Sequence, residues 1–335
     1  MGAARVVLVG GLPRSGTTLL RNVISANPAV HGLETDWSLI NNQARIDQLL
    51  DAPLNAHEPY LDIFAMLQEG RTKVVSGISR WPVSVAQIEP YFRQAEPSWS
   101  NLFCAMLSAS CALVAEPILL AKSPRIERYF FHLLRDAEAC GLDLRSVYIV
   151  RSPRTSYLSY KHSMVFFRGV RVSLPNAAGW GELWLQSTGR ALDFARAYPG
   201  HSMIVRFEDL VEDPTPVVDR LTDELALPES GRAPMIAALE KPANTSFPNQ
   251  RRPILSAEEE DELAATCGER AISLGYQLPL ASDDDRVRRP NVVFGRLASL
   301  STQELTRALP RVLLRRLGNQ LKLATARGRA ILDRS

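Results

Sequence analysis

Residues 5–20 read RVVLVGGLPRSGTTLL, and this stretch restricts the possible folds more than any other part of the chain. Its first half is apolar without alternation. Both faces of such a strand must be covered, as in a parallel sheet with helices on each side. Its second half keeps the frame G-x-x-x-x-G-[K]-[ST] from Gly11 to Thr18, with Thr17 standing where that frame carries lysine. A strand, a glycine-bounded turn and a helix start aim several free backbone N–H groups at one point, which makes a cavity shaped for a phosphate-like anion. Gly16 lets the backbone approach the ligand closely. Arg14 supplies the charge that lysine would have given, and Thr17 and Thr18 add hydroxyl donors.

The same strand–turn–helix pattern recurs. PILLAKSPRIERYFFHLLRDAEA gives a strand, a turn at Ser123-Pro124 and a helix. LRSVYIVRSPRTSYLSYKHS gives a strand over 146–150, a turn around Pro153 and a helix. SMIVRFEDLVEDPTPVVDRLTDELAL gives a strand over 202–206 and a helix begun after Asp213-Pro214. GTTLLRNVISA is a helix stopped by NPAV, a short strand AVHG follows, and TDWSLINNQARIDQLL is helical again. NLFCAMLSASCALV (101–114) is a long apolar helix, while residues 51–100 mix helical segments with prolines. Strands alternating with helices predict an α/β class, a P-loop-type parallel sheet flanked by helices.

With 335 residues, 46% of them hydrophobic, the chain can bury one large core. Its 39 basic and 36 acidic residues exclude a strongly basic nucleic-acid binder. The charge is uneven, however: residues 286–335 hold twelve Lys or Arg and two acids. The domain division expected is therefore 1–285 for the α/β body and 286–335 for a basic helical C-terminal extension. Leu309, Leu313, Leu317 and Leu321 form an apolar stripe there among Arg307, Arg311, Arg315 and Arg316. That is either a helix packed on the body or a basic amphipathic helix at a membrane surface. Cys104, Cys111, Cys140 and Cys267 have no metal-ligand spacing and sit among apolar residues as buried thiols. Neither a signal peptide nor a membrane-spanning run is visible, so a cytoplasmic protein is expected.

A nucleoside-triphosphatase of this architecture needs an acid after a second apolar strand to hold magnesium. Here SVYIV ends in Arg151, which attracts an anion instead. Ser159, eight residues on, can add a hydroxyl to the same anion. The ligand then has two anionic ends and needs no metal.

Together these motifs resemble the PAPS-dependent sulfotransferases over residues 5–276. PRSGTTLL is similar to that family's 5′-phosphosulfate loop, and VYIVRSPRTSYLS to its 3′-phosphate motif. VRFEDLVEDP and LSAEEEDELAATCGERAISLGY are similar to later stretches. The resemblance implies the sulfotransferase fold and 3′-phosphoadenosine 5′-phosphosulfate as co-substrate without metal. It implies that Pro13, Arg14, Ser15, Gly16, Thr17, Thr18, Arg151 and Ser159 hold that donor. In the tyrosylprotein branch a glutamate before threonine is the catalytic base, and Glu34-Thr35 in HGLETDW falls on that position. His31 is the rival base. Lys122 in LLAKSPR resembles the lysine that stabilises the migrating group. Ser246 and Arg252 in SFPNQRRP match a serine and a basic residue that touch the donor, and Phe207 falls on a position beside the adenine.

Asp36 stands where the tyrosylprotein enzymes carry arginine, which weakens the case for an acidic tyrosine peptide. The expected acceptor is a hydroxyl of a carbohydrate or other small molecule, lipid-linked or aryl acceptors included, with no nucleic acid involved. A protein tyrosine, a kinase-like phosphotransferase and a non-catalytic nucleotide-binding scaffold are the alternatives. Phe166, Phe167, Arg168, Arg171, Trp180 and Trp184 form either a lid and acceptor wall or, for the tryptophans, core.

Overall fold

Alternate residues of the first strand feed two different cores. β1 (Ala4–Gly11) sends Val6 and Leu8 to one face of the sheet and Val7 and Val9 to the other, as the period of two demands. The computed structural model describes residues 3–36, 56–69, 83–163, 176–240 and 254–277. Among them, β2 (Val30–Asp36), β3 (Ile118–Lys122), β4 (Leu142–Val150) and β5 (Ser202–Arg206) join β1 in one parallel sheet, ordered β2–β3–β1–β4–β5. The helices are α1 (Thr17–Ser25), α2 (Glu58–Gln68), α3 (Val85–Phe92), α4 (Trp99–Cys111), α5 (Phe130–Ala139), α6 (Pro153–Ser163), α7 (Ala177–Ala197), α8 (Phe207–Glu212), α9 (Pro214–Glu224), α10 (Arg232–Ala237) and α11 (Ala257–Ser273).

Helices α1, α9 and α10 cover the Val7/Val9 face through Leu20, Val23, Val218, Leu221 and Met235. Helices α4, α5, α7 and α11 cover the opposite face. This is the α/β arrangement expected from the sequence. Register sets where chemistry can occur. Val9 pairs with Lys122, Gly11 with Ile149, and Val150 with Arg206, so the carboxyl ends of β1, β3, β4 and β5 finish together at one edge. In open α/β sheets that edge, where strand order reverses, is where ligands bind.

Boundaries differ in detail. β4 starts at Leu142 rather than 146, because its first residues pair with Ala4 and Arg5 of β1. β2 runs on to Asp36, and the apolar helix spans 99–111 rather than 101–114. Cys104, Cys140 and Cys267 are buried free thiols, but Cys111, at the end of α4, is only half-buried. Burial pushes the thiol pKa to about 11 at Cys111 and about 12 at Cys140 and Cys267. No helix among the described residues is long and apolar enough to cross a membrane. Of the helix expected over 35–50, Thr35 and Asp36 instead end β2, drawn into the sheet by the pairing of Asp36 with Lys122. Residues 37–50, 164–175 and 246–253, the boundary at 285 and the basic extension 286–335 lie outside the described residues.

Helix α4 is buried on nearly every side, so its polar groups must be satisfied internally. Ser98 caps it by accepting from the Asn101 amide at 3.0 Å. Asn101 Nδ2 donates to the carbonyls of Phe92 (2.7 Å), Glu96 (3.1 Å) and Ala95 (3.2 Å), which staples the end of α3 and the following loop to the core. Asn101→Ala strands these carbonyls and is expected to cost about 2–3 kcal/mol. The check is a lowered denaturant midpoint at unchanged slope.

Candidate active site

The turn between β1 and α1 is built around two glycines and one strained arginine. Gly11 and Gly16 have φ of 149° and 99°, and Arg14 lies in the left-handed region at 72°. The Ser15 amide donates to the Leu12 carbonyl at 3.1 Å and closes the turn. Helix α1 starts from Gly16 without a side-chain cap, so its first-turn amides are available to an anion. A Cβ at Gly16 would lie 2.4 Å from Phe207 Cδ2. Glycine is therefore required twice there, for backbone conformation and for the aromatic ring against it.

That turn and the second motif meet. Arg14 Nε donates to Ser159 Oγ at 3.1 Å, and Arg151 Nη1 donates to the Arg14 carbonyl at 3.2 Å. The Arg14 side chain thus lies with the second motif rather than within its own loop, and the two anion motifs are in direct contact. Arg151 is fixed on several sides. Its Nε donates to Thr155 Oγ1 at 3.1 Å, its guanidinium carbon lies 4.2 Å from the Phe207 ring centre, and its carbonyl accepts from Trp184 Nε1 at 2.8 Å. Burial lowers the pKa of both arginines; for Arg151, Glu208 opposes the shift and Arg14 adds to it. Glu208 also accepts from the Ser152 amide at 3.1 Å.

At the other flank Lys122, buried at the tip of β3, donates to Thr18 Oγ1 at 3.2 Å. The cleft therefore presents ammonium, guanidinium, hydroxyl and amide donors. Such a donor set fits a ligand carrying anionic groups at both ends. Among the described residues no cluster of His, Cys, Asp or Glu could hold a metal ion.

Helix α6, which carries Ser159, is gripped from behind by α11. Arg154 Nε bonds Glu260 at 2.9 Å, while Glu259 accepts from Lys161 at 2.6 Å and Tyr157 at 3.3 Å. Ser256 caps α11 with a capping box that also uses Glu259.

Among the other residues singled out in the sequence, Ser15 and Thr17 are buried in the turn and Pro13 is half-buried. The backbone of Glu34 lies in β2, two residues before Asp36, which pairs with Lys122. His31 pairs with Leu119, three positions back from Lys122, and its Nδ1 lies 3.3 Å from Glu116. It is set back from the edge by about 10 Å at the usual strand rise. Ser246 and Arg252 lie outside the described residues. Trp180 and Trp184 are core, each 1% exposed, so they form no acceptor wall. Thr155, Trp184 and Glu208 escaped the sequence reading as supports of Arg151. Only Thr155, one helical turn beyond Arg151, left a spacing signal.

Gly16→Ala is expected to weaken anion binding at this turn, read with inorganic sulfate, roughly tenfold or more, through left-handed strain of about 1–2 kcal/mol and displacement of the Phe207 ring. Titration calorimetry reads this directly. Unchanged affinity would remove the turn from the site.

No curated protein matches the chain. Among solved structures it is similar to the sulfotransferase domain of the Synechococcus PCC 7002 olefin synthase, with 19% identity, 83% of this chain and 97% of that chain covered, and a TM-score of 0.45. It is likewise similar to the sulfotransferase domain from the curacin biosynthetic pathway, with 19% identity, 83% and 100% coverage and a TM-score of 0.46. The sulfotransferase STF9 from Mycobacterium avium follows, with 16% identity, 84% and 79% coverage and a TM-score of 0.45. The family model described as Sulfotransferase family matches residues 7–230, which run from β1 through both anion-binding motifs to the start of the last helices. With that span covering two-thirds of its length, the chain belongs to the sulfotransferase family.

Proposed function

We propose that this chain moves a sulfuryl group from 3′-phosphoadenosine 5′-phosphosulfate to an acceptor hydroxyl, first of all one on a carbohydrate or other small molecule. What supports this donor is the meeting of the two anion motifs, Arg14 with Ser159 at 3.1 Å and Arg151 with the Arg14 carbonyl at 3.2 Å. The turn amides, Thr17 and Thr18 hold the 5′-phosphosulfate. Arg151 and Ser159 hold the 3′-phosphate, Arg14 bridges the two ends, and Phe207 lies beside the adenine. The resemblance assigns Ser246 and Arg252 to the donor as well.

Transfer needs a base, positive charge on the migrating group and a stabilised leaving phosphate. The acceptor oxygen attacks sulfur as the bond from sulfur to the bridging oxygen of the 5′-phosphate breaks. The acceptor proton passes to the Glu34 carboxylate. Lys122, Arg14 and the turn amides stabilise the charge that appears on the departing 3′,5′-bisphosphate. The cations at the tips of β3 and β4 take the place of the acids that a kinase would use for magnesium.

Glu34→Gln is expected to lower kcat by about 10²–10⁴-fold while binding of adenosine 3′,5′-bisphosphate stays unchanged. Steady-state assays with labelled donor over pooled sugars, lipids, phenols and peptides, each with and without EDTA, read both points. Normal turnover by Glu34→Gln removes it as the base. Magnesium-dependent transfer from a nucleoside triphosphate, with none from the phosphosulfate, would point to a kinase-like phosphotransferase. Tight nucleotide binding without transfer to any pool would point to a scaffold.

A further inference from the structure

Three residues beyond Lys122, Arg125 has φ of 65°, a left-handed conformation that is strained for any residue but glycine. The chain is pinned there. The Ser123 amide donates to the Val9 carbonyl and the Arg125 amide to the Gly11 carbonyl, both at 3.0 Å, so the segment continues the β1–β3 edge past the strands. Ile126 then turns into the core, where its Cγ2 would be 2.8 Å from a Cβ at Gly10.

The side chain fixed in this way is half-buried, and burial lowers its pKa. Its charge is felt by Tyr129 and Tyr160, and it faces Glu127 and Arg190. Glu127 attracts it without a bond: Glu127 Oε1 accepts from Ser187 at 2.5 Å, Ser187 in turn meets Tyr148 at 2.8 Å, and the buried Glu127 Oε2 has no hydrogen-bond partner. Among the described residues Arg125 makes no side-chain hydrogen bond and no ion pair. A half-buried guanidinium with five donors and no acceptor is incomplete.

Its position selects what completes it. Phe207 and α1, which frame the nucleotide end, pack on the Val7/Val9 face of the sheet. Ile126, Tyr129 and Tyr160 pack on the opposite face. We propose that Arg125 receives an anionic group of the acceptor, a carboxylate or a sulfate ester, so that the site favours acidic acceptors. This rests on the sulfuryl-transfer reading, with Lys122 at the reacting end.

The test titrates the full chain, saturated with adenosine 3′,5′-bisphosphate, with inorganic sulfate, glucuronate and glucose. Sulfate and glucuronate are expected to bind and glucose not to. Arg125→Gln is expected to lower affinity for both anions by about tenfold and leave nucleotide affinity unchanged, with Arg125→Lys intermediate. Arg125→Gly provides a second readout. It relieves the backbone, so it should melt no lower than the wild type and still lose the anions. Equal anion affinity in wild type and Arg125→Gln, or no anion binding by the wild type, overturns the inference. So does an Arg125→Gly protein that melts lower and keeps its anion affinity. The nucleotide titration reads the donor assignment separately: nucleotide binding without anion selectivity sinks only the role of Arg125.

Discussion

Two guanidinium groups held side by side at the end of a parallel sheet are the constraint around which the candidate site is arranged. Arg14 and Arg151 repel one another, and burial removes much of the water that would screen them. The fold holds them by means that leave their charge available. Arg151 lies over an aromatic ring, its carbonyl is tied to an indole, and its side chain bonds a threonine hydroxyl and a backbone carbonyl. Arg14 is fixed by a left-handed backbone and a serine. An excess of fixed positive charge in a cleft with low-dielectric walls is a preorganised receptor for anions.

Much of this could be read from the chain because the relevant chemistry is local. An apolar run ended by glycine, followed by hydroxyl residues, specifies strand, turn and helix start within sixteen residues, and the structure has all three. The same holds for Arg151 at the end of one apolar strand and Ser159 in the helix after it. The Arg14–Ser159 bond could not be read, since it joins residues 145 positions apart and depends on how β1 and β4 pair. Helix α7 was obscured for a different reason. Trp180, Trp184, Ala191 and Phe194 follow helical spacing, but tryptophans near arginines also suit a ligand wall. The indole nitrogens settle the matter by donating inward, to Ser156 at 3.2 Å and to the Arg151 carbonyl at 2.8 Å.

The last described helix contributes no group to the cleft but positions one that does. Glu259 and Glu260 of α11 hold Lys161, Tyr157 and Arg154 on α6, so the helix bearing Ser159 is fixed from its far side. Burial raises the Glu259 pKa, but the bonds from Lys161 and the Ser256 amide outweigh it and the net shift is downward. This part of the clamp is therefore present above the ordinary carboxylate range and is lost as pH falls through the lowered value.

The contact between Gly16 and the Phe207 ring joins two positions nearly two hundred residues apart in sequence into one steric unit. Neither can enlarge or shift alone: a side chain at the first expels the ring, and a relocated ring leaves the first turn of α1 unsupported. Exchange at these sites is therefore expected only in pairs. Grafting the turn onto another scaffold would have to bring the aromatic partner along with it.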